Sequence, residues 1–270
     1  MQGRLSEPIE NEIQAFPVNS WKSEFAKAEK IGFELIEWIF DDRKNPIMDV
    51  DGIKEIGDCL TNHKVGVNAV CADYFMKKLL FSISSSELEN NLKVLRNLII
   101  NCHKLEIEIL EIPLVDSSSL KNDSDKDELL KNLEPILKIA ENHNVLLTFE
   151  TDLPPLEFKD FLQKFDHPSV MANYDTGNST ANEFDTKNEL FLLQKWIKNI
   201  HLKDRFKKGI TVPLGTGDTD FKLFFSIIND ISYNGDFIIQ GARNDLNSHV
   251  EDVEITCSNY LNFIKQYFDK

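Results

Sequence analysis

Residues 145–178 read VLLTFETD, LPPLEFKDFLQKFDHP and SVMANYDTGN in succession. The first stretch, 145–152, is an unbroken apolar run that stops at Glu150, the pattern of a strand covered on both faces in a parallel sheet. Pro154 and Pro155 suit the first turn of a helix, where a missing N–H costs nothing, and that helix is expected to end near Phe165. SVMANYDTGN then returns to an apolar run ending at Asp175. Strand, helix and strand in this order make a βαβ unit with its two strands parallel.

The same alternation extends both ways. Upstream lie MQGRL (1–5), ELIEWIF (34–40), VGVNAVCAD (65–73) and IEILEIPLV (107–115). Helical stretches separate them at 21–31, 51–62, 86–103 and 125–142; Trp21, Phe25, Ala28 and Ile31 recur at helical spacing, and Pro135 predicts a kink in the last. Downstream come a helix over 186–195, WIKNIHLKD (196–204), a long glycine-containing loop, a helix over 220–231, DFIIQGAR (236–243) and a closing helix over 249–268. Eight strands with no internal linker predict an α/β fold, a single (β/α)8 TIM barrel forming one domain over 1–270. About 250 residues is ordinary for such a barrel.

Composition narrows the function. A formal charge of -15 over 270 residues opposes contact with a phosphate backbone, so no nucleic-acid partner is expected. No apolar run reaches the roughly 20 residues of a membrane-spanning helix, and the N-terminal stretch lacks a signal-peptide layout, so no membrane association and a cytoplasmic location are expected. Cys59, Cys71, Cys102 and Cys257 form no CxxC pair and read as small buried hydrophobes. Neither GxGxxG nor GxxxxGK[ST] occurs, which removes support for nicotinamide and nucleotide-triphosphate chemistry.

Barrel enzymes place their chemistry at the C-terminal ends of strands. Here strand five ends in Glu150, strand six in Asp175, strand seven in His201 and strand eight in Gln240. Two carboxylates, an imidazole and an amide oxygen suit one hard or borderline divalent ion, manganese, magnesium, cobalt or zinc, with positions left open for substrate. Among six histidines, only His201 falls in a predicted strand, and Asp204 just beyond it is placed to orient the imidazole. Lys203 and Arg205, in HLKDRFKKG, and Arg243 after strand eight gather positive charge suited to an anionic sugar. Asn178 is expected to meet sugar hydroxyls. Glu37, Asp73 and Glu111 near earlier strand ends are expected to bind substrate hydroxyls or cap helices.

MQGRLSEP, FAKAEKIGFELIEW, TFETD, NYDTGN, NIHLKDR and PLGTGDTDF together resemble the xylose isomerase-like barrel superfamily, in its sugar-phosphate isomerase/epimerase branch, over nearly the whole chain. The resemblance implies a metal held by Glu150, Asp175, His201 and the position of Gln240, where the family carries a second glutamate. It also implies catalysis by paired glutamates on opposite faces of an enediolate. An amide cannot serve as one of that pair, so Gln240 favours one-base isomerisation, with Glu150 as base and ligand, over epimerisation. The expected partner is a small sugar or sugar phosphate, and association into a homo-oligomer is compatible with a barrel of this size. A polyol dehydratase of the inosose type on the same site, and a degenerate barrel that binds a sugar without turning it over, are the competing readings. The endonuclease branch of the superfamily, which uses many histidines, does not fit.

Overall fold

The computed structural model describes residues 1–9, 14–242 and 253–268. In chain order it contains α1 (Trp21–Ile31), β1 (Trp38–Ile39), α2 (Val50–Asn62), β2 (Ala69–Cys71), α3 (Tyr74–Lys77), α4 (Ser85–Lys104), β3 (Ile109–Leu114), α5 (Asp123–Asn142) and β4 (Leu146–Thr151). Then follow α6 (Pro155–Phe165), β5 (Val170–Asp175), α7 (Thr176–Ala181), α8 (Thr186–Leu193), β6 (Ile197–Leu202), β7 (Asp204–Arg205), β8 (Thr211–Val212), α9 (Phe221–Asp230), β9 (Asp236–Ile239) and α10 (Val253–Lys265).

Seven strands pair in parallel in the order β1-β2-β3-β4-β5-β6-β9. The extended start of the chain closes the ring. Gln2 N donates to Ile239 O at 3.1 Å, Glu37 N donates to Met1 O at 3.0 Å, and Gln2 pairs in parallel with Glu37. The structure is a TIM barrel. Its first strand is shorter than MQGRL because Gly3, at φ 56°, turns out of the extended region, and a residue in that conformation cannot continue a ladder.

Local signals set most helix ends. Ser84 and Glu87 form a capping box at α4, Asp49, Asn122, Asp175 and Asp220 cap other helices, and Gly32 ends α1 in the left-handed region. The kink expected at Pro135 does not divide α5. Its buried Leu129, Leu133, Ile136 and Leu137, each worth about 1.5–3 kcal/mol, outweigh the roughly 3 kcal/mol that an internal proline costs. Other departures from the expected pattern are the short helices α3 and α7 and the antiparallel β7–β8 arm, where the chain leaves the barrel after Leu202. The closing helix is seen as Val253–Lys265, and residues 249–252 of its expected span lie outside the described residues. No described helix is long and apolar enough to cross a membrane.

Alternate strand residues face opposite sides. Leu147, Phe149, Ala172, Tyr174, Ile200 and Leu202 belong to the hydrophobic core cluster. The intervening positions, Thr148, Glu150, Asn173, Asp175, Asn199 and His201, are polar and also buried. Barrel interiors are usually filled by branched aliphatic side chains; this one is lined with groups that need partners.

Candidate active site

His201, fully buried on β6, is the hub. Its Nδ1 lies 3.1 Å from Glu150 Oε2 and 4.0 Å from Asp175 Oδ2, while its Nε2 lies 2.8 Å from Glu37 Oε2 and 3.3 Å from Glu111 Oε2. These are ion-pair distances without hydrogen-bond geometry. Both imidazole nitrogens, Glu37 Oε2, Glu111 Oε2 and Asp175 Oδ2 have no hydrogen-bond partner. A buried polar atom left so costs about 1–3 kcal/mol, so several crowded together make a cluster that a bound cation would stabilise.

Glu150 is held on both carboxylate oxygens. Asn173 Nδ2 donates to its Oε2 at 2.9 Å and Asn178 Nδ2 to its Oε1 at 2.5 Å. Arg205 fixes Asn178 in turn, with Nη1 donating to Asn178 Oδ1 at 2.8 Å and Nε and Nη2 held by Gly209 O. Burial opposes the Glu150 charge, but His201 and the Lys203 ammonium outweigh it and hold the carboxyl down at about 2. Asp175 does two jobs at the end of β5: Oδ1 accepts from Asn178 N at 2.8 Å and caps α7, and Oδ2 lies 2.7 Å from Lys203 Nζ.

Gln240 follows β9. Its Nε2 donates to Gln2 Oε1 and, at 3.3 Å, to Gln14 Oε1, which leaves its carbonyl oxygen without a partner. Gln14 also donates to Asp73 Oδ2 at 2.6 Å, and burial lifts the Asp73 carboxyl to about 6 against that bond. Burial likewise pushes Glu111 well above the usual carboxylate range, with His201 pulling the other way. For His201 burial alone would lower the pKa, and the Glu37 and Glu111 charges raise it well above its usual value.

The residues present fit a divalent cation. Glu111, Glu150 and His201 each offer a donor atom within 4.8 Å of the other two, Asp175 Oδ2 lies 4.0 Å from His201 Nδ1 and 2.7 Å from Lys203 Nζ, and Gln240 Oε1 is buried without a hydrogen-bond partner. Oxygen and imidazole donors in this mixture suit hard to borderline divalent ions.

The sequence placed Glu150, Asp175 and His201 together, and the structure does the same. The other expected residues have partners of their own within the protein. Asp204 does not orient the imidazole: its carboxylate accepts from Gly215 N, Gly217 N and Thr219 N at 2.8, 2.9 and 3.2 Å and pins the loop before α9. The carboxylate beside the imidazole is Glu37, with Oε2 2.8 Å from His201 Nε2 and Oε1 held by Asn199 Nδ2 at 2.9 Å. Asn178 and Arg205 form a brace behind Glu150, and Lys203 is engaged with Asp175. Arg243 lies outside the described residues. Sequence reading missed Asn173 and Asn199, although each precedes a site residue by two positions and therefore shares its face. Asp204→Ala should strip three backbone donors of their acceptor and lower stability by about 1–3 kcal/mol, measured by urea unfolding; an unchanged midpoint would mean the loop needs no pin.

Known proteins offer a comparison. The chain is 22% identical over 232 residues to the L-ribulose-5-phosphate 3-epimerase UlaE of Escherichia coli O1:K1, covering 82% of this chain and 81% of that protein. It is 25% identical over 179 residues to the inosose dehydratase of Clostridium tetani, covering 56% and 59%. Among solved structures, the D-psicose 3-epimerase of Clostridium cellulolyticum H10 superposes with a TM-score of 0.79 at 17% identity, covering 97% of this chain and 96% of that one. The xylose isomerase-like TIM barrel family model matches residues 25–254, and with the barrel and its strand-end site in place, the chain belongs to that family.

Proposed function

We propose that the protein is a divalent-metal-dependent isomerase that removes the proton next to the carbonyl of a sugar or sugar phosphate. The observation that carries this reading is the convergence of Glu150, Asp175 and His201 with buried donor atoms left unpartnered. Those three side chains, with Gln240 Oε1 as a fourth donor, would hold the ion, which when bound stabilises negative charge developing on the substrate's carbonyl oxygen. The sugar epimerases and the inosose dehydratase among its relatives support a sugar or polyol substrate.

Glu150 acts as the base. Its carboxylate is ionised across the neutral range and is braced by Asn173 and Asn178, so it is ready to accept a proton without reorienting. Glu37 holds the His201 ring, and the Lys203 ammonium, 2.7 Å from Asp175 Oδ2, would offer positive charge to a substrate hydroxyl or phosphate. Gln240 cannot exchange a proton. One base can move a proton between adjacent carbons on one face, whereas inversion at a carbon needs a second group on the other face.

The test is incubation with manganese and a panel of ketose phosphates, starting with L-ribulose 5-phosphate, in deuterium oxide, followed by NMR. Deuterium beside the carbonyl with an aldose product is expected, and Gln240→Glu should add the epimer. An epimer as the main wild-type product would sink the preference for isomerisation. Absence of both exchange and product on every sugar tried would sink the enzyme reading and favour a barrel that only binds. An unsaturated ketone from an inosose would transfer the same proton abstraction to dehydration.

A further inference from the structure

The barrel interior holds a second group of donors, of which this reaction uses only Glu37, to hold the His201 ring. Glu37, Cys71 and Glu111 are each at most 2% exposed, and one donor atom from each lies within 4.8 Å of the other two. They sit on adjacent strands, with Cys71 in register with Ile39 on one side and Glu111 on the other. Glu37 Oε2 and Glu111 Oε2 have no hydrogen-bond partner. Their nearest cationic neighbour is His201 Nε2, and no lysine or arginine forms an ion pair with either among the described residues.

The imidazole cannot satisfy both. If Nδ1 serves the site described above, Nε2 carries a single proton, and Glu37, the nearer at 2.8 Å, takes it. Glu111 Oε2 is then left buried without a hydrogen-bond partner. Cys71 is directed at Asp73 Oδ1, 3.3 Å away, and burial raises its thiol well above the usual range. An ion that displaces the thiol proton and joins the two carboxylates would remove these costs together.

We propose that Glu37, Glu111 and Cys71 form a second cation site, on the Nε2 side of His201, for a thiophilic divalent ion such as zinc or cobalt. A thiolate beside two carboxylates selects a borderline ion over magnesium or calcium. The two sites adjoin and differ in their donors: Glu111 also lies within 4.8 Å of Glu150 and His201, but only the second set includes a sulfur. Glu37 links them, because it both orients the ring and belongs to the second set.

The test is cobalt titration of the chelator-stripped full chain with a thiol-free reductant, reading bound cobalt per chain and the near-ultraviolet thiolate-to-cobalt absorption. Two ions per chain are expected, one of them tracking the thiolate band. Cys71→Ser should abolish the band and leave one ion, and Glu150→Ala should remove the other ion and keep the band. A wild-type chain that binds only the ion tracking the band would therefore count against the proposed function and leave the second site standing. No thiolate band in folded wild-type protein, or a band that persists in Cys71→Ser, would overturn the second site. If Cys71→Ser does not fold, Glu111→Gln replaces it: loss of the band at equimolar cobalt supports the site, and an undiminished band overturns it.

Discussion

Glu150→Gln should lower solvent-deuterium exchange into the substrate by about 10²- to 10⁴-fold, the range a positioned general base supplies, while the protein stays folded. The amide keeps the shape that Asn173 and Asn178 grip, and its oxygen can still accept one of their hydrogen bonds. What it loses is the negative charge that takes the proton and answers the His201 and Lys203 charges. Metal retention, measured by elemental analysis after gel filtration, should fall with it. Steady-state exchange measured at saturating manganese separates the two effects, because excess ion restores occupancy and cannot restore the base. Exchange within about threefold of wild type under those conditions would remove Glu150 from the chemistry.

The metal-free protein should lose stability as pH rises from about 5 to 8, and added manganese should stabilise it more at pH 8 than at pH 5. His201 has an ordinary pKa of 6.5 and a folded one well above it. Its charge among the carboxylates therefore stabilises the fold fully below about 6.5, and that contribution is lost as pH rises through the folded value. Asp73, raised from 3.8 to about 6, and Glu111, raised from 4.5, act in the same direction. Each ionises more readily in the unfolded chain, so each costs stability as pH climbs from its unfolded value to its folded one. Glu150, lowered from 4.5 to about 2, works oppositely: its contribution is present above about 4.5 and fades as pH falls toward 2.

Maximum metal-free stability should thus lie in mildly acidic solution. Breaking the arrangement with His201→Leu would leave buried carboxylates uncompensated, and removal of one partner from a buried ion pair costs about 3–5 kcal/mol. Metal binding reverses the slope because the ion replaces protons at its ligands. Thermal unfolding in chelator at both pH values, repeated with manganese, checks each part. A metal-free midpoint higher at pH 8 than at pH 5 would contradict the charge balance drawn for His201 and its neighbours.

The barrel was legible in the sequence because strand and helix periodicities are local. Each apolar run, each capping residue such as Ser84 or Asp220, and each polar residue where a run stops acts within a few positions of itself. That is why Glu150, Asp175 and His201 could be selected before any strand was paired. The shortened first strand was less visible, since a glycine in MQGRL does not by its identity declare a positive φ. The unbroken α5 was hidden for a related reason, because the burial that carries the helix past Pro135 comes from neighbouring elements.

What the sequence by itself determined, then, is the order of strands and helices, the end of the barrel where polar strand-end groups gather, and three of the side chains that meet there. The tertiary structure alone decided which way each polar group faces. Glu37 reaches His201 and Asn199 from 162 positions away along the chain in the latter case. Asp204, only three residues past the imidazole, turns instead to backbone amides in a loop more than ten residues downstream. Closing a parallel sheet into a ring brings strand ends together irrespective of their separation in sequence. Hydrogen-bond partners in such a ring are chosen by direction and distance in space, which a linear pattern of residue types does not encode.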